Sequence, residues 1–517
     1  MKKSGFRGIA AVVLVFALGI IAVGFTGCDF LEEPVNTKGK EDPGNPSSPP
    51  DPLMLDAFKT LYIKSAGGSD TNTGEASDAP LATVAKALEK VRESYGNGAA
   101  WGVTNTKHPL PAEIVVLDTI TPSGTVTIDG AGGGGPPIIL RYLSKVDQEA
   151  DIMPSTAGYP HAPLVIVNSG VTVTLRNITL KGLGILVGST WTNANKTALI
   201  RVDGTLNLES GAAITGNTNI ASYMADVTGA GPICSNGGGV HVSAGGTFTM
   251  NGGTISGNTI SGGNKNIRLG GSGAGVYTAG TFTMNGGSIS DNTNKALWGD
   301  VDTAKTSEKR YGQGGGGGVF VSIGGKFTMK DGTISGNTSN GSMNNNQLIS
   351  RYNGGGVYVC GSLQTYDDVE YGKSGSSEFI MEGGTISGNT ANSGGGVYVY
   401  SVGVFTMKGG TISGNKATGD LLLSRYPGAG GGVYASSHGD YGYGQPFTKT
   451  GGTIYGETKP DGTPEDYYRR NTAYGHGHAV HVEKLYVDSG KTSGSRNSTA
   501  GPGVNMNLQW PNPIGWD

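Results

Sequence analysis

From Gly237 onward the chain alternates apolar and polar residues in very short runs, and the same runs return. Gly237-Gly-Gly-Val-His-Val242 leads to Gly-Thr-Phe-Thr-Met250 and then to Gly-Gly-Thr-Ile-Ser-Gly-Asn258. Later rounds carry Gly-Val-Tyr277, Thr-Phe-Thr-Met284 and Ser-Ile-Ser-Asp-Asn292, then Gly-Val-Phe320, Lys-Phe-Thr-Met329 and Thr-Ile-Ser-Gly-Asn337. Further rounds end at Asn389 and Asn415, and a worn one runs from Tyr434 through Phe447 to Ile454. Looser versions stand upstream, at Thr205 to Leu208 with Ile214 and Asn217, and at Val173 to Leu175 with Ile178. Alternation over three to five residues predicts strands, and the glycines between them predict corners.

The central Ile residues at 255, 289, 334, 386, 412 and 454 are 34, 45, 52, 26 and 42 residues apart. The shortest interval is the bare unit, with three short strands separated by Gly-rich corners. Such a unit cannot bury a face alone, so successive units must stack. The fold class expected is all-β: a single-stranded right-handed parallel β-helix (a solenoid) with an N-terminal capping helix. Three columns are expected to point inward. They are Phe248-Met250 and its equivalents through Phe405-Met407, the Ile residues, and Val240, Val276, Val319, Val357 and Val397. Asn258, Asn292, Asn337, Asn389 and Asn415 are expected to form a side-chain ladder at one corner, with simple turn preference as the competing explanation.

An apolar stripe of Leu81, Val84, Leu88 and Val91 predicts a helix over 80–95, read as a lid on the first coil. Lys449 replaces the inward Met, which marks the end of the core, and 483–517 reads as a C-terminal cover. The division expected is 1–27 signal peptide, 28–52 tether, 53–160 cap and first coils, 161–482 repeat β-helix and 483–517 C-terminal cap.

The amino terminus adds an address. Lys2, Lys3 and Arg7 precede an apolar run from Ile9 to Phe25, then Thr26, Gly27 and Cys28. This is the layout of a bacterial lipoprotein signal, with Cys28 as the lipidation site; an uncleaved membrane helix is the other reading. Residues 29–52, with six prolines, read as a tether without a core. The expected location is the cell envelope, as an outer-membrane lipoprotein exposed at the surface, although Asp29 beside Cys28 also fits inner-membrane retention. Cys234 and Cys360 are the other cysteines and are expected to be free thiols.

Composition narrows the classes. Glycine supplies 93 of 517 residues, charged residues 15 %, and the formal net charge is −3. Collagen, coiled coils and cationic nucleic-acid binders are excluded.

The Gly-Gly-Thr-Ile-Ser-Gly-Asn rounds resemble the repeats of bacterial polymorphic outer-membrane proteins and related β-helical surface lipoproteins. Tyr62-Ile63, Gly68-Ser69-Asp70, Asn72-Thr73-Gly74 and Pro80 to Val84 look like the N-terminal start of pectin-lyase-like β-helix proteins. The resemblance covers roughly residues 60–482 and implies the fold. That fold hosts both lyases and adhesins, so activity must be argued from the site.

For catalysis, the resemblance would imply acidic calcium ligands with a basic proton acceptor. No such set maps onto the coil strands: 236–258 holds no charged residue and 393–415 only Lys408. Asp367 with Glu370 reads as a solvated loop, and Asp70, Asn72 and Asp78 as turn and helix-start residues. His476, His478 and His481 read as worn repeat positions. No catalytic residue, metal or cofactor is therefore expected.

One constellation suggests binding. His241, Tyr277, Phe320, Tyr358, Tyr398, Tyr434 and His481 lie between inward Val positions and so point out, one per coil. They would offer ring faces to a ligand, or else stack on each other and shield the sheet. Insertions at 259–272, 294–313, 339–353 and 416–428 would emerge along one edge. The function expected is adhesion or recognition of a glycan or of a host or matrix protein by a lipid-anchored monomer, without catalysis. A polysaccharide lyase or glycoside hydrolase, and a passive envelope spacer, are the alternatives.

Overall fold

The structure, a computed structural model, describes residues 60–94, 112–130, 138–142, 162–183, 185–187, 190–192, 197–220, 236–262, 271–296, 315–340, 353–361, 376–400, 403–419, 428–438, 446–475, 477–485 and 492–506. The expectations on residues 1–52, including Cys28, and those on Cys234, the Asp367–Glu370 pair and His476 lie outside the described residues. The chain is a right-handed parallel β-helix. Each coil adds one strand to each of several long sheets, and like pairs with like along the stack.

The Ile face has eleven strands, from Leu61–Ile63 to Thr453–Ile454. The Phe–Met face has nine, from Thr125–Asp129 to Phe447–Lys449. The Val face has ten; nine run parallel from Val165–Val167 to Val480–Leu485, and Thr492–Arg496 closes it antiparallel. Register is in phase with the repeat: Phe248 pairs with Phe282, Phe282 with Phe327, Phe327 with Phe379, and Phe379 with Phe405. A parallel stack holds equivalent side chains one strand spacing apart, which suits flat rings. The Phe rings stack at centroid separations of 4.6–4.8 Å from Phe248 to Phe405. All six rings through Phe447 are fully buried, as are the Met and Ile columns beside them.

A fourth face was not anticipated. Seven two- to four-residue strands, from Thr218–Ile220 to Thr472–Ala473, follow the Asn corner. Their inward column reads Asn219, Ile260, Asn294, Ser339, Ala391, Ala417 and Ala473. Small and polar residues give no hydrophobic signal, so these strands were not legible from apolar periodicity. They fit because the opposite wall is glycine. A Cβ on Gly317 would lie 2.7 Å from the backbone N and O of Thr338, and one on Gly355 equally close to those of Thr390.

Both ends are closed. The helix runs Val84–Ser94, shorter than expected, because Leu81 is bridged to Ile63 as a strand residue. Asp70 fixes the helix start: its carboxylate accepts from the backbone N–H of Ala82 (3.0 Å) and Thr83 (2.9 Å) and from the Thr83 hydroxyl (2.9 Å). Ala87, Leu88 and Val91 are buried against the first coil, and Arg92 donates to the Asp129 carbonyl at 2.7 Å. At the far end Lys449 is buried at the foot of the Met column, paired with Met407. Its ammonium donates to the carbonyls of Gly501 (2.8 Å) and Val504 (2.7 Å), while antiparallel bridges join Lys449 to Met506 and Ile454 to Ala500. Unpaired strand edges are thereby covered.

Candidate functional site

The row of outward aromatics exists, but it is not an open platform. His241, Tyr277, Phe320, Tyr358, Tyr398, Tyr434 and His481 pair coil on coil. Ring centroids along the row are 4.8, 5.6, 4.9, 5.0, 4.9 and 5.3 Å apart, five of the six contacts stacked and one tilted. The faces therefore look along the stack and are occupied by neighbours. Phe320, Tyr358, Tyr398, Tyr434 and His481 are buried, while His241 and Tyr277 are half-buried. Cys360, Tyr400 and Ala429 join the same cluster. A sugar cannot stack on a face that another ring already covers, so of the two readings open from the sequence the row takes the mutual stacking that shields the sheet. The Val positions do point inward as expected. What the sequence left open was whether the ring planes lie flat on the sheet or stand across it, and stacking at one strand spacing fixes the second arrangement.

Polar groups in this row are engaged. The Tyr277 hydroxyl donates to the Ser322 hydroxyl at 2.8 Å, and His481 Nδ1 lies 2.8 Å from the Ser495 hydroxyl. Burial pushes the His241 imidazole below its ordinary value, opposed by its contact with the Asn236 carbonyl. His478 faces Glu457 at 3.4 Å, so the two described histidines of the C-terminal trio have separate partners. Among the described residues no group of three or more His, Cys, Asp or Glu is placed to hold a metal. Asp70 serves the helix start, and Asn72 donates to the Pro80 carbonyl at 2.9 Å.

The Asn corner is a continuous buried ladder, and the structure lengthens it. Nδ2 of Asn258 donates to Oδ1 of Asn292 (3.0 Å), Asn292 to Asn337 (2.9 Å), Asn337 to Asn389 (3.0 Å), Asn389 to Asn415 (2.9 Å) and Asn415 to Asn471 (2.9 Å). Each Oδ1 also accepts the backbone N–H of the preceding Asn, and each Nδ2 also donates to an Ile carbonyl one coil earlier. Every interior amide thus satisfies both its N–H groups and both lone pairs, spanning three coils. Asn217 joins by its backbone N–H only: its Nδ2 donates instead to the Thr197 and Gly238 carbonyls, and Leu183 occupies the column one coil earlier. Turn preference does not explain the Asn: the left-handed residue is the one before it, Gly257, Gly336, Gly388 or Gly414, and Asp291 in the remaining coil.

Sequence reasoning missed Asn471 and the exposed Tyr467, Tyr468 and Tyr474. The 456–470 segment interrupts the repeat between Ile454 and Asn471, so a column-by-column reading passes over it. Comparison with protein-family models, with curated proteins and with solved structures found no match.

Proposed function

We propose that the protein is an exported, Cys28-anchored β-helix that works as a rigid display scaffold in adhesion or recognition, without catalysis. The observation that carries this reading is the shared corner. In sequence, the stretch between a strand of the short fourth sheet and the next Val strand is the variable part of each round: it is 221–239, 263–275, 297–318, 340–356 and 418–432 in five coils and only 392–396 in another. Segments of differing length and composition are thereby attached to one edge of an invariant support, a common arrangement for binding surfaces. Coil walls built of Thr, Ser and Gly support a scaffold role over a catalytic one. The resemblance of the repeats to polymorphic outer-membrane proteins, and of the first coil to pectin-lyase-like proteins, is part of this proposal.

The test is protease shaving of intact cells, together with fatty-acid labelling of wild-type protein and a Cys28→Ala variant. The proposal expects label lost in the variant and the β-helix cleaved or released by external protease. Unlabelled wild-type protein, or a chain shielded from protease until the outer membrane is opened, would contradict it.

A further inference from the structure

Among the described residues, only three large apolar side chains are exposed: Tyr467 (69 %), Tyr468 (86 %) and Tyr474 (64 %). All belong to the last coil. Among the described residues the Phe column and the outward row stack their rings out of solvent, so the neighbouring open rings of Tyr467 and Tyr468 are a departure from that rule. The supporting segment is pinned. Thr458 is bridged to Pro464 and to Ser498, Glu465 N–H donates to the Glu457 carbonyl, and Gly414 N–H donates to the Arg469 carbonyl at 2.9 Å. Tyr474 follows directly on the last short strand, its N–H held by the Ala417 carbonyl at 3.1 Å.

Charge is arranged unevenly around these rings. The Arg470 guanidinium lies 4.9 Å from the Tyr467 ring centroid and that of Arg469 lies 5.9 Å from the Tyr455 centroid. Neither is ion-paired to a described carboxylate, and the buried Arg470 Nε has no hydrogen-bond partner. The four carboxylates of the segment each have partners other than these two guanidinium groups. Asp461 accepts from Thr463, Glu465 from Thr499 and from Asp466 N–H, Asp466 from Tyr468 N–H, and Glu457 faces His478. Tyr467 and Tyr468 meet edge to face at 5.4 Å, so their open faces look in two directions.

We infer that Tyr467 and Tyr468, with Arg469 and Arg470, form a binding patch for a glycan whose sugars carry carboxylates. Pyranose rings present C–H faces that stack on tyrosine, and a planar guanidinium donates two parallel hydrogen bonds to a carboxylate. A protein partner fits less well, because the patch lacks the aliphatic side chains that fill the centre of such interfaces. This inference deepens the recognition reading and rests on it.

The experiment titrates the full chain with oligogalacturonate and hyaluronan fragments, and with cello-oligosaccharides as the neutral arm, by calorimetry at two salt concentrations. The expected result is salt-sensitive binding of a uronate glycan that falls at least tenfold in Tyr467→Ala/Tyr468→Ala and in Arg470→Gln, with unchanged melting temperatures. Binding of neutral sugars alone, undiminished uronate binding in both variants, or no glycan binding overturns it. So does a protein ligand lost in the same variants. Surface exposure by protease shaving is a separate readout, so failure of the patch and failure of the display reading are distinguishable.

Discussion

Asn337→Ala should cost this protein far more than a polar-to-alanine change usually does. The Asn337 side chain is fully buried and makes four hydrogen bonds. Its Oδ1 accepts from Asn292 N–H (3.0 Å) and Nδ2 (2.9 Å), and its Nδ2 donates to the Ile289 carbonyl (2.9 Å) and to Asn389 Oδ1 (3.0 Å). Alanine leaves two Asn292 donors facing a void that water cannot reach. At ~1–3 kcal/mol for each of the two stranded buried donors, the loss is about 2–6 kcal/mol. Asn337→Asp adds a sign that can be checked. An ionised carboxylate would face the Ile289 carbonyl and Asn389 Oδ1, so burial raises its folded pKa above the unfolded value of ~3.9. Its stability should then fall as pH rises above that value, whereas the alanine variant should track the wild type. The exposed Asn285–Asn251 pair, at 2.8 Å, is an internal control: Asn285→Ala should cost less than about 0.5 kcal/mol. Urea midpoints across pH, with hydrogen exchange at the Asn292 amide, measure all three. A loss under about 1 kcal/mol for Asn337→Ala, or an aspartate variant indifferent to pH, would refute the ladder as a source of stability.

Three further outcomes follow from single positions. A Cβ on Gly318 would lie 2.6 Å from the Gly356 carbonyl oxygen and 3.0 Å from Ile334 Cγ2, so Gly318→Ala should lose about 1–3 kcal/mol in denaturant melts. Asp291 holds φ 57° where other coils place Gly, so Asp291→Gly should gain about 1 kcal/mol, read as a higher urea midpoint. Burial, and then Arg496, push the Lys449 ammonium down to about 8, so above that pH the folded chain binds fewer protons there than the unfolded chain. Stability should rise as pH climbs from about 8 toward the ordinary lysine value, and Lys449→Met should abolish the rise in thermal melts at about pH 7 and 9.5.

The repeat made most of the fold legible, for a definite physical reason. Stacked coils put identical side chains in register, so Phe327 and Ile334 report the same column as Phe248 and Ile255. Where the column signal is apolar it could be read; where it is Ser339, Ala391 or Ala417 it could not, and the fourth face went unseen. The outward ring row was legible as to its face, while its orientation stayed open between ligand display and mutual stacking, since alternation says which side of a sheet a residue takes and nothing about ring planes. The exposed tyrosines fall in an insertion with no column at all. Their environment depends on contacts with 414–417 and 497–499, which only the folded chain brings together.

The stacking itself is tested most directly by distances between spin labels on one outward column of the Phe–Met face. Thr174, Thr328 and Thr448 occupy equivalent positions, linked by register through Asn207, Thr249 and Thr283 and then through Ile380 and Thr406. At ~4.8 Å per coil, labels at Thr174 and Thr328 should lie about 19 Å apart, and labels at Thr174 and Thr448 about 34 Å apart. Pulsed electron–electron resonance should show narrow distributions that grow in proportion to the number of coils. Distances that follow sequence separation instead, or broad distributions for both pairs, would contradict the β-helix.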